Sequence, residues 1–311
     1  MNFLITGGAG FLGSALANRL TREGHHVRVL DDLSTGDPKS LLPDIHFTRG
    51  DVNDRPKLWG LLQDVDVVYH LAARVRVPES ILYPRDYNTV NVGGTVTLME
   101  AARDVIIPRV VFISSGAVYG NTGTQPISET ATPNPRSPYA VSKLASEHFV
   151  RVIGAAVGIE TVSLRVFNAY GPGQIYTPTH APVIPNFLRQ ASQNGTLVVY
   201  GQGNQTRDYV YVEDVVNAMV AAATAPGVDQ QVINVGSGTE TDIRELARQV
   251  IEITGGKPEV VYNPHVEGGS TRMCADISLA REKLNYTPLI PLSTGLRLTW
   301  ERDPSFKPAS T

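Results

Sequence analysis

The sequence predicts an α/β fold, a doubly wound parallel sheet with a smaller, interleaved α/β lobe. Three observations predict it: short β-branched runs alternate with amphipathic stretches through the first half, a glycine-rich loop joins the first run to the first amphipathic stretch, and after Phe167 the pattern turns to Gly- and Pro-rich segments around short elements. In order, strands are expected at 3–6, 26–30, 45–49 and 65–70, with a helix at 12–22. Further strands follow at 109–114 and 161–166, with helices at 88–103 and 139–157. Beyond Phe167, short elements are expected at 183–192, 197–200 and 213–223, and a late helix at 243–254. The strand-like run 231–235 is expected to rejoin the main sheet. The domains are therefore segmental: 1–167 with about 209–236, then 168–208 with 237–311. The tail 303–311, with Pro304 and Pro308, is expected to fray.

Composition narrows the classes. Of 311 residues, 42% are hydrophobic and 18% charged, enough apolar material to fold and too little charge for a disordered chain. Twenty-seven basic residues against 30 acidic ones give a formal charge of -3, so no global field attracts nucleic acid or an anionic membrane. Cys274 is the single cysteine, which excludes an intrachain disulfide and a multi-thiolate metal site and makes the cytoplasm the expected compartment. The start lacks the basic and apolar regions of an export signal. The uncharged run 166–188 is interrupted by Pro172, Pro178, Pro182 and Pro185 and reads as loop, not as a membrane span. The seven histidines show no metal-ligand spacing and the phosphate loop of ATPases is absent, so neither zinc nor ATP chemistry is expected.

Thr6-Gly7-Gly8-Ala9-Gly10-Phe11-Leu12-Gly13 follows a predicted strand and opens a predicted helix. Its glycines permit a tight turn, close approach of a pyrophosphate to the backbone, and tight packing of helix on sheet, while the helix N-terminus holds the anion. Asp31 ends the second strand, where a carboxylate bonds ribose hydroxyls and repels a 2′-phosphate, so NAD is expected rather than NADP. The alternative is a plain tight turn with Asp31 capping a loop. Asp51-Val52, after the third strand, is placed to meet the adenine edge.

Tyr139 and Lys143 stand four apart on a predicted helix and project from one face. A phenol is a poor base at neutral pH, and a neighbouring ammonium lowers its pKa. Ser114 and Ser115 end the strand 109–114, and ligands bind at such carboxyl ends. An exposed Tyr/Lys pair and a simple serine turn are the bland readings.

These residues, with Tyr69-His70-Leu71-Ala72-Ala73, Ser114 to Gly120, Leu164-Arg165-Val166-Phe167-Asn168-Ala169-Tyr170-Gly171-Pro172, Thr206-Arg207-Asp208-Tyr209-Val210-Tyr211-Val212-Glu213-Asp214 and Asn234-Val235-Gly236-Ser237-Gly238, resemble the extended short-chain dehydrogenase/reductase family. The likeness is to its nucleotide-sugar epimerases of the UDP-glucose 4-epimerase type, and it runs in order along nearly the whole chain. It implies a Rossmann sheet binding NAD. Tyr139 would be the base, Lys143 would hold the nicotinamide ribose, and Ser115 would bridge the sugar 4-hydroxyl and Tyr139. The cofactor would meet Gly7, Gly10, Phe11, Leu12, Gly13, Asp31, Asp32, Ser34, Thr35, Gly36, Asp51, Val52, Leu71, Ala72, Ala73, Asn91, Ser114, Tyr139 and Lys143. The UDP-sugar would meet Ser115, Asn168, Val183, Val198, Tyr200 and Arg207.

The resemblance also separates reactions. Gly116-Ala117 follows Ser115 where the family's 4,6-dehydratases carry Asp-Glu and its decarboxylases carry Glu at the second position. What remains is C4 inversion through a 4-keto sugar, with UDP-glucose and UDP-galactose expected first and UDP-N-acetylglucosamine as a further substrate. UDP-glucuronate is the alternative nucleotide sugar; a non-catalytic NAD sensor is the alternative of another class. Val266-Glu267-Gly268-Gly269 lacks the family's phosphate-binding arginine, and nearby Arg272 is expected to replace it. Arg74 and Arg76 depart from the common pattern, and either face the cleft or pair with Glu79 at the surface. Met273 falls where the family's residue size bears on an N-acetyl group. A homodimer through the helices carrying Asn91 and Tyr139 is implied, although Leu98, Met99, Ala101 and Ala102 would equally suit core packing.

Overall fold

The computed structural model describes residues 1–176, 181–264 and 271–306. In chain order the strands are β1 (Asn2–Thr6), β2 (His26–Asp31), β3 (His46–Arg49), β4 (Val67–His70), β5 (Arg109–Ser115), β6 (Glu160–Val166), β7 (Asn168–Tyr170), β8 (Thr196–Tyr200), β9 (Thr206–Tyr211), β10 (Gln231–Val235), β11 (Glu240–Asp242) and β12 (Glu259–Asn263). The helices are α1 (Phe11–Arg22), α2 (Arg55–Leu61), α3 (Val77–Leu82), α4 (Pro84–Tyr87), α5 (Gly94–Asp104), α6 (Pro138–Val157), α7 (Val183–Ser192), α8 (Val212–Thr224), α9 (Ile243–Thr254), α10 (Ser278–Leu284) and α11 (Leu292–Arg302).

The main sheet is parallel, in the order β10-β6-β5-β4-β1-β2-β3. Its strand order reverses between β1 and β4, so the loops after β1, β4 and β5 open on one crevice, the place where such sheets bind ligands. Side-chain alternation divides the core between the two faces. Phe3 and Ile5 pack on the side of Leu16, Val215 and Met219, whereas Leu4 faces the side of Leu98, Met99 and Val150. The run 231–235 does rejoin the sheet, with Ile233 opposite Leu164. A β11-β9-β7 sheet and a β12-β8 pair lie outside it.

Several details differ from the sequence reading, and one of its alternatives is decided. The helix expected over 88–103 is a π-helical stretch, Asn88–Gly93, followed by α5. The Asn91 carbonyl at its centre accepts the hydroxyls of Thr95 (2.5 Å) and Ser146 (2.8 Å), which supply the partners a widened turn leaves wanting. An unforeseen helix, α2, is capped by Asp54, whose side chain accepts the Lys57 N–H at 3.1 Å, and has Pro in its first turn. The chain does not fray at Asp303: that carboxylate accepts the Gly173 N–H at 2.9 Å, and Phe306 packs on Trp300 with ring centroids 5.8 Å apart. Residues 307–311 lie outside the described ones. Leu98, Met99, Ala101 and Ala102 are fully buried and belong to the core. Among the described residues no helix is long and apolar enough to cross a membrane, and no group of His, Cys, Asp or Glu could hold a metal ion.

Candidate active site

The crevice is a cavity of about 910 Å³ lined at one end by Asp31, Asp32, Ser34, Thr35, Asp51 and Val52, along its floor by Gly7, Gly10, Phe11, Leu12 and Gly13, and at the other end by Ser114, Ser115, Tyr139 and Lys143. Leu71, Ala72 and Ala73 line it between, and Tyr200, half exposed, stands on its wall.

The glycine loop is built as its chemistry requires. Gly7 has φ +69°, and a Cβ on Gly13 would lie 2.2 Å from the Gly7 carbonyl oxygen. Asp31 accepts the Ala9 N–H at 3.0 Å and the Leu33 N–H at 2.9 Å, so its carboxylate braces the loop while facing the cavity. Burial pushes its pKa up, against the pull of those two hydrogen bonds. The cradle, the helix N-terminus and this carboxylate fit a dinucleotide. Gly36 lies off the cavity wall, with a Cβ there 2.9 Å from the Ala9 backbone.

His70, at the end of β4, is buried and neutral: burial, then the charge of Lys143, bring its pKa down to about 3. The Thr95 hydroxyl is given to the Asn91 carbonyl, so Thr95 accepts from His70 Nε2–H at 2.9 Å and Nδ1 accepts the Thr6 hydroxyl at 2.7 Å. Thr6 Oγ1 in turn accepts the Ala72 N–H at 3.3 Å. Asn91 stands behind the wall. Its side chain accepts the Arg74 N–H at 2.7 Å and donates to the Arg74 carbonyl at 3.0 Å and to Ser142 Oγ at 2.9 Å, fixing the loop after β4 against α6.

On α6, Ser137 caps the first turn by accepting the Ala140 N–H at 3.1 Å, and Tyr139 and Lys143 come to one buried face. Lys143 donates to the Ile113 carbonyl at 2.8 Å and lies 5.0 Å from the Phe112 ring centroid; burial lowers its pKa to about 8, and Glu147 opposes that. The expected lowering of the Tyr139 phenol by Lys143 does not govern here. Burial raises its pKa, and the group that opposes the rise is the Ser115 hydroxyl, through a hydrogen bond.

The carboxylates lining the described cavity, Asp31, Asp32 and Asp51, all belong to the end away from Tyr139. Gly116, after Ser115, packs under Phe167, whose ring would lie 3.1 Å from an added Cβ. Other residues expected at the substrate lie off the wall. Asn168 donates to the Asp208 carbonyl at 3.1 Å, and Arg207 donates to the Thr206 carbonyl at 2.7 Å. Val183 and Val198 are also off it, as is the buried Met273. Arg272, expected to replace a missing arginine, is held in a bidentate pair with Glu240, at 2.8 Å from Nη2; residues 266–269 lie outside the described ones. Arg74 and Arg76 both line the cavity, and Arg74 also faces Glu79 at 3.5 Å and Asp86 at 3.9 Å, so for Arg74 both alternatives hold.

Among the wall residues that the sequence reading missed are Gly50, Val75, Val77, Val90 and Ile113. Their backbone or apolar surfaces carry no chemical signature, though their adjacency to named site residues could have marked them.

The NAD dependent epimerase/dehydratase family matches residues 3–236. The chain is similar to a UDP-glucose 4-epimerase of Mycolicibacterium smegmatis, 38% identical over 97% of this chain and 98% of that one. Among solved structures it is similar to the UDP-glucose 4-epimerase of Thermotoga maritima with UDP-glucose, with a TM-score of 0.93 and 34% identity over 97% of this chain and 98% of that one. It is also similar to a UDP-N-acetylglucosamine 4-epimerase of Methanobrevibacter ruminantium in complex with UDP-N-acetylmuramic acid, with a TM-score of 0.92 and 32% identity over 96% and 97%.

Proposed function

The chain belongs to the NAD-dependent epimerase/dehydratase family, and from that premise we propose that it inverts C4 of a UDP-hexose through a 4-keto sugar, with UDP-glucose and UDP-galactose as the first pair and UDP-N-acetylglucosamine as a further substrate. The observation that carries this reading is the convergence of Tyr139, Lys143 and Ser115 at one end of a cavity whose other end is a dinucleotide cradle. What bound NAD supplies is reversible hydride acceptance at C4, with no net redox change.

Tyr139 Oη takes the proton of the substrate 4-hydroxyl and later returns one to the same oxygen. Ser115 Oγ holds that hydroxyl and the phenol in line, and its own oxygen is oriented by the Ala117 N–H at 3.1 Å. Lys143 anchors the nicotinamide ribose and, as a cation, favours the phenolate. Phe167 and Ala169 line the cavity wall. Among the described residues no carboxylate lines the Tyr139 end to serve as the acid that would expel the C6 hydroxyl, which favours epimerisation over dehydration. On the family motif, Asn168 and Arg207 are assigned to the substrate diphosphate, and Tyr200 to the uracil. Residues 1–167 and 209–236 thereby serve the dinucleotide, and 168–208 and 237–311 the nucleotide sugar.

Incubation with UDP-glucose, UDP-N-acetylglucosamine and UDP-glucuronate separately, following the 4-epimers by chromatography and NADH by absorbance, tests the reading. Epimers should form without stoichiometric NADH, and Tyr139→Phe should reduce turnover by about 100-fold or more while leaving NAD content unchanged. Three unchanged sugars with NAD bound would overturn the UDP-hexose assignment.

A further inference from the structure

Beyond Lys143 on α6, one turn further, lies a buried ion pair that the chemistry above does not use. Tyr139, Lys143 and Glu147 recur at intervals of four along one helix face, and none is more than a tenth exposed. Glu147 Oε1 accepts from Arg165 Nε at 3.0 Å, Oε2 accepts from Nη2 at 2.8 Å, and Oε1 also accepts the Ser114 hydroxyl. Arg165 lies 4.7 Å from the Tyr119 ring centroid. Such a pair is a poor source of stability, because burying each ion costs several kcal/mol, and apolar replacements of similar volume are often neutral or better. Its position relative to Lys143 supplies another reason for it.

The groups facing Lys143 come from four elements. Tyr139 and Glu147 share its helix; β4 presents the neutral His70; β5 presents Phe112, the Ile113 carbonyl and Ser114; and Arg165, on β6, lies behind Glu147. Glu147 is the one anion among them. Desolvation favours a neutral amine at this site, and Glu147 opposes it.

We infer that Glu147, paired with and oriented by the Arg165 fork, is a positioning residue that keeps Lys143 a cation at neutral pH and, through the Ser114 hydroxyl, fixes the strand end that carries Ser115. The inference rests on the reading that Lys143 acts as a cation beside Tyr139. Arg165 and Glu147 thus matter to the reaction without touching substrate or cofactor.

The test uses the NAD-loaded protein and two variants. Glu147→Gln leaves Arg165 buried without its partner, so Glu147→Gln with Arg165→Met is made as well, removing both charges at similar volume. Two profiles are followed from pH 6 to 10: kcat/KM for the epimerised sugar, and the phenolate absorbance of Tyr139, obtained by subtracting the Tyr139→Phe protein in each background. The alkaline limb of kcat/KM should move down by about one to two pH units in either variant, with the loss concentrated above neutrality and the Tyr139 titration moving up. A uniform fall in rate with both profiles in place would reduce the pair to a structural role and overturn the inference. If no sugar is turned over, the proposed function fails separately, and the phenolate titration, which needs no turnover, still decides the role of Glu147.

Discussion

At Tyr139 and His70 the same force, desolvation, moves two titrating groups in opposite directions. The phenol rises and needs Ser115 and a nearby cation to serve as a base near neutrality. The imidazole falls and is locked as a neutral link between the hydroxyls of Thr6 and Thr95. His70 in the unfolded chain titrates near 6.5, but in the fold only at about 3. The unfolded chain therefore binds more protons below pH 6.5, so the contribution of His70 is full above that value and is lost as the pH falls toward 3. In denaturant melts, His70→Gln should be less stable than the parent at pH 7 by about 1–3 kcal/mol, from the hydroxyls left without an imidazole. The gap should narrow by about 1.4 kcal/mol for each pH unit below 6.5. A gap independent of pH would place the acid sensitivity in other groups.

Among the elements, the β1–α1 junction makes a sharp backbone demand at the site itself. A Cβ on Gly13 would meet the Gly7 carbonyl at 2.2 Å and the Gly8 Cα at 2.6 Å, both backbone atoms that cannot swing aside. Gly13→Ala is expected to cost about 1–3 kcal/mol in overpacking and to displace the loop, so that protein purified from cells carries little NAD when the acid-released nucleotide is measured. Full NAD content would show that the loop can relax without losing the cradle. Asp208 is the corresponding fixed point outside the main sheet. Its carboxylate accepts the N–H groups of Ser237 (2.6 Å), Gly238 (3.0 Å) and Ala275 (3.0 Å), tying β9 to two loops. Burial pushes its pKa up against these donors.

For the whole molecule, the face formed by α3 and α6 remains to be covered. Ile81, Leu82, Tyr83, Val141, Phe149 and Val152 are exposed there, an apolar surface of the kind monomers rarely leave open. We propose that two copies pair through it. Sedimentation should give twice the 33.6 kDa chain mass, and Phe149→Asp with Val152→Asp should return the single-chain value while the circular dichroism is retained. A monomeric parent protein would refute the pairing. The α5 residues Leu98, Met99, Ala101 and Ala102 are spent on the core, whereas Phe149 and Val152 of α6 remain exposed.

What the sequence determined by itself was whatever local periodicity and spacing dictate. Alternating runs specify parallel strands and crossover helices, three glycines in register specify a phosphate-approach turn, and an interval of four puts Tyr139 and Lys143 on one face. The π-helical stretch at Asn88–Gly93 was not legible, because the Asn91 carbonyl at its centre takes the Ser146 hydroxyl that α6 brings to it. Nor was the commitment of Arg272 to Glu240, which are 32 residues apart, or of Lys143 to the Ile113 carbonyl. Only the tertiary structure decided these pairings, and with them the charge environment of Lys143. A buried polar group takes whichever partner packing delivers at hydrogen-bond distance, and the desolvation that sets its ionisation is a property of the whole surrounding fold rather than of its neighbours in the chain.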